Sequence, residues 1–111
     1  MDDFIYGEPV AAPTAATLLS ASARRTADGV LLRWRMATVL RVAGFNVFRS
    51  DRGRLVRLNT TLVAAGLLGA SGSHRYTWRD RAAPSRGALR YGLQAVGLDG
   101  TRTWLGSTTA R

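Results

Sequence analysis

Arginine at alternating positions is the feature of this chain that could do chemistry. In "LLRWRM" Arg33 and Arg35 stand two apart, in "SHRYTWRD" Arg75 and Arg79 stand four apart, and Arg24 lies in "SASARR". All sixteen basic residues are arginine. A guanidinium carries five donors in a planar fork that matches a carboxylate or phosphate edge, and it keeps its charge at any pH a folded protein meets. Such groups bind anions; they do not shuttle protons.

Groups that could shuttle protons are scarce. The single histidine, His74, stands between Ser73 and Arg75, and no acid near it in sequence could orient it as a base. Asp28 and Asp99 each precede a glycine and Asp51 opens "DRGR", so all three suit turns. With no cysteine and one imidazole, a thiolate metal site or a zinc shared between histidines is excluded. The expectation is a chain with no catalytic, cofactor or metal site and no small-molecule substrate. "NTT" at Asn59 fits the N-glycosylation pattern, but nothing else here points to a eukaryotic secretory route, and it is read as a coincidence of composition.

Charge is divided along the chain. Residues 1 to 16 hold Asp2, Asp3 and Glu8 with no base, a charge of −3, whereas residues 17 to 111 set sixteen arginines against four aspartates, a charge of +12 within the overall +9. A body so basic seeks acidic protein surfaces, anionic membrane or nucleic acid. The acidic opening "MDDFIYGEPVAAPTAAT" carries the triplet Phe4, Ile5 and Tyr6, too apolar to serve solubility alone, and then a Pro and Ala linker. It is expected to be an anchoring arm, residues 1 to 16, ahead of a domain at residues 17 to 111.

The elements that must position these arginines alternate with period two. "VLLRWRM" sends Val30, Leu32, Trp34 and Met36 to one face and Leu31, Arg33 and Arg35 to the other. "LLSASARR" points Leu19, Ala21 and Ala23 inward, and "ADGV" predicts a hairpin at Asp28–Gly29. "GFNVFRS" puts Phe45 and Val47 inward, and "DRGR" turns the chain into "LVRLN". The glycine-interrupted "TTLVAAGLLGASGS" suits neither helix nor strand throughout and is expected to be a crossover, with a short helical turn near Leu62 to Ala65. Tyr76 and Trp78, then Leu89, Tyr91, Leu93 and Ala95, complete the inner set, and "LDGT" closes a hairpin into "TRTWLGST". Seven short strands at near-regular spacing with one long crossover predict an all-β, seven-stranded Greek-key sandwich. One chain of 111 residues suffices for it.

"VLLRWRMAT", "GFNVFRSD", "YTWRD", "LRYGLQAV" and "LDGTRTWLG" together resemble the fibronectin type III-like modules of bacterial surface and multidomain proteins, over residues 18 to 108. The resemblance implies an immunoglobulin-like β-sandwich that binds or spaces and has no chemistry of its own. It also implies a tyrosine early in the sixth strand that ties down the preceding corner. Leu89 stands there instead, so a hydrogen bond of about 1 kcal/mol is expected to be missing.

If the second and fifth strands neighbour one another as in such modules, Arg33, Arg35, Arg75 and Arg79 share a face with Arg24 on its flank and Asp28 and Asp80 at its rim. Arg49, Arg57, Arg90 and Arg102 are expected outside the opposite sheet, with Phe48 and Trp104 as its exposed aromatics. The expected role is a non-catalytic accessory or scaffolding subunit that docks on an acidic protein partner through Phe4, Ile5, Tyr6 and the face of Arg24, Arg33, Arg35, Arg75 and Arg79. Nucleic-acid binding is the first alternative, and a cell-surface adhesion or spacer module is another. A start at Met1 without an export signal leads to a cytoplasmic expectation, and an excised module would be extracellular or periplasmic.

Overall fold

The alternation in "VLLRWRM" becomes the two sides of a strand. The computed structural model describes residues 15–66 and 74–111. In chain order the strands are β1 (Ala15–Thr26), β2 (Gly29–Leu40), β3 (Val42–Asp51), β4 (Arg54–Arg57), β5 (Val63–Ala64), β6 (His74–Asp80), β7 (Leu89–Gly97) and β8 (Arg102–Ala110). They form two antiparallel sheets, β1-β2-β6 and β4-β3-β7-β8, with β5 also paired to β3. The predicted all-β sandwich is present. Its seven strands are joined by an eighth, β5, of two residues.

The core lies where the inner faces meet. Val30, Leu32, Trp34 and Met36 are buried from one sheet, and Phe45, Val47, Tyr91, Leu93 and Ala95 from the other. The Trp34 indole stacks on Tyr76 at 5.7 Å between centroids and meets Phe45 edge-on at 5.6 Å. Packing of this kind makes an aromatic the costliest core side chain to truncate, about 3 to 5 kcal/mol.

The chain passes between sheets at Arg41, whose φ of 59° is left-handed and whose carbonyl accepts from the Leu98 amide at 2.9 Å. A non-glycine residue held there costs on the order of 1 kcal/mol.

Several expectations are corrected. Leu19 is exposed and Leu18 packs on the core instead, because irregularities between Thr17 and Ser20 shift the alternation by one. The first hairpin loop is Ala27–Asp28, one residue earlier than expected. Gly29 already pairs with Thr26, and a Cβ on it would lie 2.1 Å from the Asp80 carbonyl oxygen, so the glycine answers a close approach within the sheet. The helical turn at Leu62 to Ala65 is replaced by β5. The bare backbone of Gly44 admits it, since a Cβ there would lie 2.6 Å from the Val63 carbonyl oxygen.

Between β4 and β5 the edge of β3 has no strand beside it, and the Asn59 side chain fills the gap. Its Oδ1 accepts from the Val47 amide at 2.7 Å and its Nδ2 donates to the Phe45 carbonyl at 3.2 Å, as a neighbouring backbone would. The same Nδ2 also lies 3.1 Å from Asn46 Oδ1 and 3.0 Å from the Thr61 carbonyl. Buried backbone groups left unpaired cost about 1 to 3 kcal/mol each, so this one amide secures the edge.

Asp80 and Arg49 face inward, contrary to their expected places at a rim and on an outer face. Arg49 Nη1 donates to Asp80 Oδ2 across the two sheets, and the Tyr91 hydroxyl donates to the same oxygen at 2.7 Å. Asp80 Oδ1 accepts from the Ala82 amide at 3.2 Å. Positions 76, 78 and 80 share one parity, as do 45, 47 and 49, so both charges belong to the inner set and survive there by pairing. Burial, then the hydrogen bond and charge of Asp80, push the Tyr91 hydroxyl well above the ordinary tyrosine range. Burial opposes the Arg49 charge, but the Asp80 carboxylate outweighs it and raises Arg49 further. Leu89 is buried as expected. Tyr91, two residues later, does not bond the corner backbone but donates to the Asp80 carboxylate at the end of β6.

Candidate functional site

The outer face of the β1-β2-β6 sheet is where the predicted arginines meet. Registers make three rows across it: Arg24, Leu31 and Arg79; then Ser22, Arg33 and Thr77; then Ser20, Arg35 and Arg75. Directly opposed residues of antiparallel strands have Cβ atoms about 5 Å apart. Arg35 and Arg75 are such a pair, and Arg33 is two residues along the same strand from Arg35. Like charges so placed repel and favour a shared counter-anion.

A trough of about 460 Å³ opens at this point, lined by Ser20, Ser22, Arg33, Arg35, Arg75 and Thr77 over the backs of Ala21, Trp34 and Tyr76. Three guanidinium groups border it, and small hydroxyl side chains face them across the neighbouring strands. The arrangement suits an anion held by charge-assisted hydrogen bonds, with the hydroxyls able to donate or accept beside it. The aromatic rings beneath point into the core, so the trough offers no exposed ring for stacking.

Arg79 is drawn aside. Its Nη1 donates to Thr26 Oγ1 at 2.7 Å and it is half-buried, whereas Arg24, Arg33, Arg35 and Arg75 are exposed. Of the five arginines expected on this face, all five are on it and three line the trough. Among the described residues the one ion pair is Arg49–Asp80, inside the sandwich. Asp28 is exposed on the β1–β2 loop, at the end of the sheet away from Arg35 and Arg75. Phe4, Ile5 and Tyr6 lie outside the described residues.

The hydroxyls were missed by sequence reasoning. Their parity is legible in "LLSASARR" and "YTW", but their place beside particular arginines depends on register, and the irregularities near Leu18 hide that register in β1. His74 opens β6 opposite Met36. Among the described residues no three His, Cys, Asp or Glu side chains gather as metal ligands.

No protein-family model matches the chain, and no curated protein matches it in sequence. A solved structure does match: an Fn3-like protein from Clostridium thermocellum, at a TM-score of 0.58 and 18% identity, over 88% of this chain and 92% of that one. The fold is therefore fibronectin type III-like, and at this identity the likeness carries the fold alone.

Proposed function

We propose that the chain is a non-catalytic protein-interaction module, an accessory or scaffolding subunit that docks on an acidic surface of a larger assembly. The observation that carries this reading is the cross-strand pair Arg35 and Arg75, with Arg33 beside them, around a hydroxyl-lined trough. A protein surface bearing Asp and Glu supplies carboxylates that guanidinium forks grip in pairs. The absence of an exposed ring in the trough favours such a partner over an unstacked base. The arm is its second contact: Phe4, Ile5 and Tyr6, tethered by the linker, raise the effective concentration of the trough at its partner.

The chain has no cysteine, so Ser22→Cys places a single photo-crosslinker in the trough. Irradiation in extract of the native host is expected to yield an adduct with an acidic protein. The adduct should disappear when Arg33, Arg35 and Arg75 are all changed to Glu, while the melting temperature stays within a few degrees. Adducts that nuclease removes, or that survive the triple reversal, would overturn the reading.

A further inference from the structure

The outer face of the other sheet differs in kind. Registers pair Leu55 with Ser50 and Arg90 with Thr109 at one end; Arg57, Phe48, Gly92 and Ser107 form the next row; then Asn46, Gln94 and Trp104; and beyond them Val96 and Arg102. No carboxylate occupies any of these positions. Trp104 is 53% exposed, and its ring lies 4.8 Å from that of Phe48, centroid to centroid, at 56°. Gly92 lies beneath the place where they meet. A Cβ there would stand 3.4 Å from Trp104 Cζ3 and 4.0 Å from Phe48 Cβ, so a larger side chain would lift the indole away.

Beside the indole runs a groove of about 410 Å³ lined by Ser50, Leu55, Arg90, Gly92, Trp104 and Ser107. Arg90 is held along it by a hydrogen bond from Nη2 to Ser107 Oγ at 3.3 Å. Arg57 lies across from Phe48, and Arg102 is two residues from Trp104 on β8. Three exposed arginines therefore share this sheet face with one exposed indole.

We propose that this face binds single-stranded nucleic acid, with a base stacked on Trp104 and the phosphates on either side held by Arg90, Arg57 and Arg102. Aromatic rings set among cations on an open sheet are the means by which single strands are gripped without sequence preference. The rows of Arg90 and Arg102 are six β7 residues apart, or about 20 Å at about 3.4 Å per residue, which is room for a short run of nucleotides. A neutral glycan fits less well. The amides that would bond its hydroxyls are turned to each other, Asn46 Nδ2 donating to Gln94 Oε1 at 3.1 Å, and both are buried. The inference does not rest on the arginine trough, which lies on the opposite sheet.

The test is fluorescence anisotropy of the full chain with labelled dT12 and U12, at low and moderate salt, against a 12-base-pair duplex competitor. Single strands are expected to bind, to resist the duplex, and to lose roughly tenfold in affinity with Trp104→Ala, the loss of one stacked base. Arg90→Gln should shallow the salt dependence by about 0.7 in log–log slope, the loss of one phosphate contact. Gly92→Val should weaken binding with Trp104 intact. Either order of dT12 and U12 supports the site and assigns the natural strand. Trp104 is exposed, so its variant is expected to melt as wild type does. No binding at low salt, duplex binding equal to single-strand binding, or a Trp104→Ala variant with wild-type affinity would each overturn the proposal, and displacement by polyglutamate alone would reassign the face to an acidic protein.

Discussion

The two outer faces carry the same cation in different company. On β1-β2-β6 the arginines stand beside serine and threonine, and on β4-β3-β7-β8 they share the face with an indole that leans over a glycine. Net charge describes both faces equally and distinguishes neither. Their neighbours distinguish them: hydroxyls suit a compact anion gripped edge-on, and a ring suits a strand whose bases need somewhere to lie. In a chain with sixteen arginines, the ligand is read from the residues between them.

The faces share one clamp, and breaking it gives the largest expected effect. Arg49→Met leaves Asp80 buried without its cation and should destabilise the fold by about 3 to 5 kcal/mol in urea titrations, with loss of both surfaces together. If one face kept its binding while the other lost it, the sheets would not depend on this link.

Tyr91→Phe is milder. It removes one donor to a carboxylate that keeps Arg49, and about 1.5 to 3 kcal/mol is expected. The alkaline limb separates this from simple packing. The folded-state pKa of Tyr91 is raised, so its contribution is complete below the unfolded tyrosine value of about 10 and is lost as pH rises through the folded value. Tyr76, raised by burial, adds in the same direction. The urea midpoint should hold up to about pH 9.5 and then fall, and it should fall less steeply in Tyr91→Phe. Equal alkaline slopes would mean that Tyr91 is not the group titrating.

The smallest effect sharpens the contrast between the faces most. Arg75→Glu turns an opposed like-charge pair into an opposite one and should stabilise the domain slightly, by about 0.2 to 1 kcal/mol, toward the lower figure because water screens exposed charges. The same change should weaken docking at the trough and leave oligonucleotide affinity on the other sheet within about threefold. A variant that is more stable but less able to bind would mark the arginine pair as kept for its ligand. A loss of stability would mean that the pair is already bridged within the chain.

Legibility in the sequence followed parity and stopped at register. The inner set of β2 was plain because four apolar residues alternate with two arginines and a leucine. Asp80 and Arg49 had the same parity as their core neighbours, yet their charge outweighed that signal, since the partner of each lies 31 residues away. The bulge that turns out Leu19, the short strand admitted by Gly44, and the meeting of Phe48 with Trp104 over Gly92 all depend on which residues face one another across strands. Strand pairing is set by the whole sandwich, so a local pattern cannot show it.

Asn59, which stands in for a missing strand beside β3, has a consequence for how this protein can be made. It heads the sequence Asn59-Thr60-Thr61, which a eukaryotic secretory pathway recognises for glycan attachment at the same nitrogen that reaches Phe45, Asn46 and Thr61. That nitrogen is buried once the domain has folded, so the sugar can be added only to the emerging chain, and a chain that receives it cannot close the β3 edge. Yield from such a host therefore becomes a race between folding and modification. Thr61→Val, which erases the acceptor pattern and keeps the Thr61 carbonyl bond to Asn59, should tilt that race toward the folded form.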